Sequence, residues 1–340
     1  MPPHWASPMT MHPDPDAVTA VIPAYNAEAT LDETLRSVRA QTHRALEIIV
    51  VDDGSRDGTA EIARAHARED PRLRVVQQPN AGVAAARNLG IALARAALVA
   101  PVDADDLWAP TKIARQVAVL RTAGPQTGLV YTWSALVDEA GRVVGHADQP
   151  TDEGDVLPRL CRGNLVGNGS AALMRRAAVL DAGGYDATLR DRGAQGCEDL
   201  LLYCAIAARH RVALVPEILT GYRQRPDSMS RDLAQMMRSW RLVAAELRRR
   251  HPERGHDIDA GEAFAAGWLF RRALRAGRLR DAVGIARGGG LAPGVGMRET
   301  ASFAGYALRR CAARAIVRDR DPAPVAAAPH FHADGGGVTA

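Results

Sequence analysis

Cysteine is scarce in this chain. There are four in 340 residues, Cys161, Cys197, Cys204 and Cys311, and no C-x-x-C pair. That spacing argues against a structural zinc site or a disulfide framework and fits reduced thiols in a cytoplasmic chain. Long hydrophobic runs are missing too. No stretch of eighteen apolar residues exists, so no segment reads as a membrane span. No basic-then-apolar signal pattern opens the sequence, and the proline- and methionine-rich residues 1–16 are expected to form a disordered leader. A large excess of one charge is also absent. The net charge of +4 is compatible with anionic substrates or an anionic membrane surface and specific to neither, and no nucleic-acid partner is expected. What remains is globular composition, 47% hydrophobic and 24% charged, enough for one large domain with a smaller appendage.

The stretch around which the rest is organised is Val102-Asp103-Ala104-Asp105-Asp106-Leu107-Trp108. Three carboxylates follow the short apolar run Ala96–Ala100 and precede a helical pattern from Lys112 to Leu120. An acidic cluster at the end of a buried strand puts oxygen ligands at a sheet's carboxyl edge, where open α/β sheets bind ligands. Hard cations such as Mg²⁺ or Mn²⁺ prefer oxygen ligands and often use one or two carboxylates plus substrate phosphates. A solvated turn with an aspartate helix cap would look the same in isolation.

The surroundings favour the ligand site. Residues 17–23 form an apolar, β-branched strand that ends at Pro23-Ala24-Tyr25-Asn26. Thr30 and Glu33 have capping-box spacing ahead of a helix. Leu46–Val51 is almost wholly apolar, as in a strand buried on both faces, and ends in Asp52-Asp53-Gly54-Ser55. A third strand is expected at Leu73–Val76, with helices from Thr59 and Val83 between. Strands alternating with helices mean βαβ units and a parallel sheet, so the acidic loops after the second and fourth strands share one edge.

Beyond Leu120 the sequence suggests a strand over 128–137 with a hairpin return near 141–144, and a strand at Val212–Val215. Gly167-Asn168-Gly169-Ser170-Ala171-Ala172 matches G-x-G-x-x-A but opens no βαβ unit, which rules it out as a dinucleotide fingerprint. Glu198-Asp199 opens a helix, where acidic residues are favourable in any case. Tyr222 to Ser230 is a polar loop carrying Arg223 and Arg225. After it come arginine-rich helices, with expected apolar stripes at Met236, Met237, Trp240, Val243 and Leu247, at Phe264, Trp268 and Ala273, and at Phe303, Ala307, Cys311 and Ala315. Packing on the main domain is the first reading of these helices, and an interfacial helix on anionic lipid is the second. The Pro-, Ala- and Gly-rich residues 319–340 are expected to be a disordered tail.

Seven motifs in order resemble the inverting family 2 glycosyltransferases of the GT-A fold. They are Val21–Asn26, Ile49–Thr59, Asn80–Asn88, Val102–Asp106, Gly183-Gly184-Tyr185-Asp186, Glu198-Asp199-Leu200 and Tyr222–Ser230. The resemblance spans residues 17–231 and implies a Rossmann-like, mostly parallel sheet flanked by helices, with a helical extension over 232–318. It implies that Pro23, Ala24, Tyr25, Glu28 and Asp53 line a nucleotide pocket, that Gly82 allows close backbone approach, and that Arg87 helps hold the nucleotide. Asp103 and Asp105 would face the ribose and the metal. Asp105 and Asp106 are the metal candidates, with the choice between them open. Asp199 would be the catalytic base, beside Glu198. Many relatives carry histidine where this chain has Arg225, which could hold diphosphate but could not titrate.

The implied chemistry is transfer of a sugar from a nucleotide-diphosphate donor to a hydroxyl of a glycan, lipid-linked or small-molecule acceptor. A divalent cation offsets the charge that develops on the leaving diphosphate, and a carboxylate accepts the acceptor's proton. Two rivals remain. A sugar-phosphate nucleotidyltransferase would need a glycine-rich basic loop after the first strand, which Pro23-Ala24-Tyr25-Asn26 is not. A non-catalytic nucleotide-sugar-binding module would have no need to keep Asp105, Asp106 and Asp199 together.

Overall fold

The computed structural model describes residues 12, 14–225, 232–287 and 330–331. Its N-terminal half alternates as the sequence predicts: β1 (Val18–Ala24), α1 (Leu31–Arg39), β2 (Leu46–Asp52), α2 (Thr59–Glu69), β3 (Leu73–Gln77), α3 (Val83–Leu93) and β4 (Leu98–Pro101). β1 and β2 are buried at every residue, which is why they carry continuous apolar runs instead of alternation. β1 pairs in parallel with β2 and β4, and β2 in parallel with β3. Helix α3 lies very close to this sheet. A Cβ at Gly90 would come within 2.3 Å of the Val21 side chain, so only glycine permits the approach.

The second half turns the sheet into a mixed one. β5 (Leu107–Trp108) is followed by α4 (Lys112–Ala123), β6 (Thr127–Val137), β7 (Val143–His146), α5 (Leu157–Arg162) and β8 (Ala172–Arg175). Then come α6 (Arg176–Asp181), α7 (Thr188–Asp191), α8 (Glu198–Ala207) and β9 (Arg211–Arg223). The strand order is β3-β2-β1-β4-β8-β6-β9-β5, with β7 on β6. β8 inserts antiparallel between β4 and β6. Neither β5 nor β8 is predicted from the sequence. They are two and four residues long and owe their form to the strands beside them. β9 runs well past the Val212–Val215 segment that the sequence suggests. Tyr222 and Arg223 therefore end a strand and do not belong to a loop, and residues 226–230 of that expected loop lie outside the described residues.

Among the described residues three C-terminal α-helices follow: α9 (Leu233–Arg250), α10 (Gly255–Arg275) and α11 (Leu279–Arg287). Trp240, Val243, Ala244 and Leu247 of α9, with Ile258 and Ala265 of α10, share one core with Leu200–Ile206 of α8. At Gly261 the contact is backbone to backbone, because a Cβ there would stand 2.2 Å from the Cys161 carbonyl oxygen. The stripe expected at Phe264 and Trp268 is corrected. These are 57% and 42% exposed, whereas Ile258, Ala265, Leu269 and Ala273 face inward. The stripe expected at Phe303–Ala315 lies outside the described residues. Among the described residues no helix is long and apolar enough to cross a membrane. The expected disordered tail is also corrected in part, since His330 pairs with Arg142 and Phe331 joins the sheet's core.

Candidate active site

The carboxyl ends of β1, β2 and β4 meet at one edge of the sheet, and the acidic loops after β2 and β4 lie there. Pro23 and Ala24 are buried at the end of β1, and Tyr25 beyond them is 49% exposed. Glu28 accepts from the Gly58 amide at 2.7 Å. Asp53 is almost fully buried and engaged on both oxygens. Oδ1 accepts from the Ala81 amide and the Gln78 side chain at 2.8 and 2.6 Å, and Oδ2 accepts from the Gly82 amide at 2.8 Å. It thereby fastens the residues that open α3. Gly82 has a φ of +90°, a conformation glycine adopts at little cost. Arg190, from α7, bonds Asn80 Oδ1 and lies over Gly82. No sequence signal singles Arg190 out.

The acidic loop after β4 is built differently. Asp103 and Asp105 are half-buried, and Asp106 is fully buried. Burial, and then the Asp103 charge, push the Asp105 carboxyl up to about 6, against the opposing charges of Arg225 and Arg223. Asp106 is driven well above the carboxylate range by burial and by Asp105 and Asp103. Its Oδ2 accepts from Ser170 Oγ at 2.5 Å and its Oδ1 from the Arg223 amide at 2.9 Å. A carboxyl that is inward-facing and bonded at both oxygens has little lone-pair capacity left for a cation. Of the two metal candidates, Asp106 is therefore the one already engaged by the protein. Asp103 and Asp105 are oxygen donors in a half-buried crevice whose mutual repulsion a divalent cation would relieve. No group of three or more His, Cys, Asp or Glu side chains suited to a metal occurs among the described residues. Further ligands would therefore have to come from bound phosphate oxygens and water.

Arg87, which the resemblance implies helps hold the nucleotide, is buried. Its Nη2 donates to Asp103 Oδ1 at 2.5 Å and its Nη1 to Glu198 Oε1 at 3.0 Å. Its guanidinium lies 5.1 Å from the Tyr185 ring centre. Gly169 makes room for it, since a Cβ there would be 2.8 Å from Arg87 Nη2. Arg87 thus ties the acidic loop to the start of α8. Glu198 is held by Arg87 and by the Gly196 amide at 2.7 Å. Asp199 has no cation within bonding distance among the described residues. Asn164 Nδ2 donates to it at 3.1 Å and the Leu200 amide at 2.7 Å. Burial, followed by the Glu198 charge, raises its carboxyl to about 7, and Arg87 opposes the rise.

Sequence reasoning also missed Ser170 and Arg223. The rejected G-x-G-x-x-A stretch is in fact a 3-10 turn, Gly169–Ala171, that backs the acidic loop. Ser170 Oγ accepts from the Asp103 amide at 3.0 Å, and the Ser170 carbonyl from Trp108 Nε1 at 2.9 Å. Arg223 is 1% exposed. It donates to the carbonyls of Asp105, Asp138 and Glu139 and to Glu33 Oε2, at 2.6–3.0 Å. Glu33 is therefore not a capping-box partner. Thr30 turns instead to the Ala104 carbonyl at 2.9 Å.

A mixed sheet with this parallel half, an acidic loop after β4 and an acidic pair opening α8 defines the GT-A class of fold. Residues 19–181 match the family model described as Glycosyl transferase family 2, and this part of the chain belongs to that family. EpsH of Bacillus subtilis (strain 168), a glycosyltransferase by name, is 35% identical over 170 residues, 48% of each chain. YibD of Escherichia coli (strain K12), an uncharacterized glycosyltransferase, is 45% identical over 94 residues, 28% of this chain and 27% of that one. The chain spans about half or less of the length of these curated relatives. Among solved structures, S. aureus TarS 1–349 in complex with UDP-GlcNAc aligns with a TM-score of 0.58 at 17% identity, over 76% of this chain and 83% of that one. The mannosyltransferase PcManGT from Pyrobaculum calidifontis, in complex with GDP-Man and Mn²⁺, aligns with a TM-score of 0.55 at 22% identity, over 93% and 92%. At these identities the structural likeness speaks for the fold.

Proposed function

We propose that the chain is an inverting glycosyltransferase that moves a sugar from a nucleotide-diphosphate donor to a hydroxyl of a glycan or lipid-linked acceptor. The observation that supports this reading is the Arg87 bridge, in which one guanidinium pairs with Asp103 of the acidic loop and with Glu198 of the acidic pair. Asp105 and Asp103 would hold Mg²⁺ or Mn²⁺. When bound, the cation would offset the charge on the leaving diphosphate. The site residues Pro23, Ala24, Tyr25, Glu28, Asp53 and Gly82 would shape the nucleotide side of the crevice. Arg225, whose charge reaches Asp105, would add a fixed cation for phosphate.

Asp199 is assigned the base. Glu198 is committed to an ion pair with Arg87, whereas Asp199 keeps a carboxyl whose affinity for protons sits near neutrality. That suits a group that must take a hydroxyl proton as the new bond forms. Attack from the face opposite the leaving diphosphate inverts the anomeric carbon. The test is a screen of nucleotide sugars with Mn²⁺, scoring nucleoside diphosphate release with and without candidate acceptors. Release from none of the common UDP-, GDP- and dTDP-sugars would defeat the reading. The structural neighbours are complexes with UDP-GlcNAc and with GDP-Man, so these head the screen.

A lipid-linked acceptor would place the protein at an anionic membrane surface. The exposed Phe264 and Trp268 lie one helical turn apart, ahead of Arg271, Arg272 and Arg275 on the same helix. Between Glu262 and Asp281 the sequence has five arginines and no acidic residue. Flotation with phosphatidylglycerol vesicles, lost in a Phe264→Ser/Trp268→Ser variant, is the expected result. Equal flotation of both proteins would remove this face from the reading.

A further inference from the structure

His330 and Phe331 connect the far end of the chain to the acidic loop. His330 forms an antiparallel bridge with Arg142, and the Phe331 amide donates to the Gly141 carbonyl at 3.1 Å. Both partners belong to the Asp138–Arg142 turn between β6 and β7. The Phe331 ring lies on Gly221, where a Cβ would stand 3.1 Å from its Cγ. Gly221 is paired with Leu107, the residue that follows Asp106. The ring also packs with a core that includes Ala100, Ala104 and Trp108. From the same turn, the carbonyls of Asp138 and Glu139 accept from Arg223 Nη1 at 3.0 and 2.7 Å. Arg223 Nε in turn holds the Asp105 carbonyl at 2.7 Å, and its amide holds Asp106. Phe331 therefore reaches the acidic loop by two short routes, one through Gly221 and Leu107 and the other through the turn and Arg223.

We propose that His330–Phe331 is a docking segment whose seating on Gly141 and Gly221 positions the Asp105–Asp106 loop. Phe331 is a positioning residue that acts through Leu107 and Arg223. The consequence for nucleotide binding rests on the donor-binding reading above, whereas the docking itself does not. The sequence makes the segment specific. Phe331 is the one large apolar aromatic residue between 319 and 340, flanked by His330 and His332 in a stretch otherwise rich in Ala, Pro and Gly. Gly221 lies beneath the ring, and Gly141 holds the segment through its backbone carbonyl. A side chain at Gly221 would displace the ring, and one at Gly141 would meet Glu33 Oε1 at 2.8 Å. The occupant is the chain's own segment, because tethering raises its local concentration far above that of any free copy.

The test uses the full chain with Phe331→Ala and reads amide hydrogen exchange without nucleotide. Exchange at 106–108 and at 141–142 should accelerate together by about fivefold or more, because local opening is governed by local contacts. Elsewhere in β1–β4 it should stay unchanged. Phe331→Leu should keep most of the protection. A synthetic peptide covering residues 326–336 should restore protection to Phe331→Ala. In a second arm, titration with Mn²⁺ plus UDP, and with Mn²⁺ plus GDP, should weaken by about tenfold in Phe331→Ala. Acceleration confined to the turn, or spread evenly over the whole domain, overturns the proposal. So does protection that depends on protein concentration, since a second copy would then fill the groove. If wild-type protein binds neither nucleotide, the donor-binding reading fails while the exchange arm still decides the docking.

Discussion

Two acidic strand ends lie at the same edge of this sheet and have been given opposite electrostatics. After β2, the carboxylates are met by backbone amides and side-chain donors. The Ser55 amide donates to Asp52 at 3.0 Å and Gln77 Nε2 donates to it at 2.8 Å, while Asp53 is held by Ala81 and Gly82. At Asp57, burial would raise the carboxyl, but hydrogen bonds from Thr59 and Glu28 outweigh it, and the group is held below its ordinary range. After β4, Asp103 is paired with Arg87 and Asp106 is bonded by Ser170 and the Arg223 amide, yet the carboxyls of Asp105 and Asp106 are raised by burial and by their acidic neighbours. The first cluster is complete as it stands. The second, with Asp199 across the Arg87 bridge, stores unfavourable charge that a cation or a proton would relieve. Folding alone gives no reason to keep such charge, and binding and proton transfer do.

The sharpest test of that contrast is Asp199. If its raised carboxyl is the base, Asp199→Asn should fold, bind nucleotide with Mn²⁺ as wild type does, and lose transfer by at least about a hundredfold. The amide keeps the shape and cannot accept the proton. Turnover near wild type would move the role to Glu198 or out of the pair. The next largest effect is expected at Asp105. Asp105→Asn should weaken nucleotide binding in Mn²⁺ by about tenfold or more, yet leave the melting temperature of the metal-free protein unchanged or higher, because a repulsive charge is gone. A lower melting temperature with unaltered binding would mark Asp105 as structural.

Asp53 should behave in the reverse way. It looks the same in the sequence, but its oxygens each accept amide hydrogens at the start of α3. Asp53→Asn leaves one of these donors facing an NH₂ group, at a cost of about 1–3 kcal/mol. Chemical denaturation should show the loss without any metal present. A fully stable Asp53→Asn variant would mean that the two strand ends are not different in kind.

This difference also marks where the sequence stops being legible. The parallel half could be read because each strand there is an unbroken apolar run followed by a loop, and the motifs sit on those loops. The start of α8 at Glu198 and the apolar face of α9 were legible for the same reason, as local patterns. What could not be read depends on distant partners. Arg223 resembles any loop arginine until Asp105, Asp138, Glu139 and Glu33 surround it. Ser170 sits in a glycine-rich stretch whose most familiar meaning is wrong here. The motifs name Arg87 as a nucleotide contact and Asp106 as a metal candidate, but a motif does not say that both side chains are buried. Phe331 lies in a composition that signals disorder, and only its packing on Gly221 shows otherwise.

The smallest effect should be a pH slope, and it separates the two kinds of carboxylate in one experiment. Asp105 and Asp199 bind protons more tightly in the folded protein than in an unfolded chain, with folded values of about 6 and about 7 against an ordinary value near 4. The folded state therefore holds more protons than the unfolded state between about pH 4 and 7, and stability must fall as pH rises across that window. The ion-paired groups have the opposite sign. Asp70, bonded by Arg72, and Glu246, bonded by Arg249 and Arg250, lie at about 2, so their contribution is present above pH 4 and fades as pH drops towards 2. Thermal melts of the metal-free protein should thus peak near pH 4–5 and decline on both sides. Asp105→Asn/Asp199→Asn should reduce the slope of the limb above the peak, the remainder belonging to the raised carboxyl of Asp106, and leave the acid limb in place. Mn²⁺ with a nucleoside diphosphate should also raise the upper limb, since the cation takes the place of the proton. If the upper limb keeps its slope in the double variant, the stored charge lies elsewhere, and the contrast between the two strand ends fails as an account of the site.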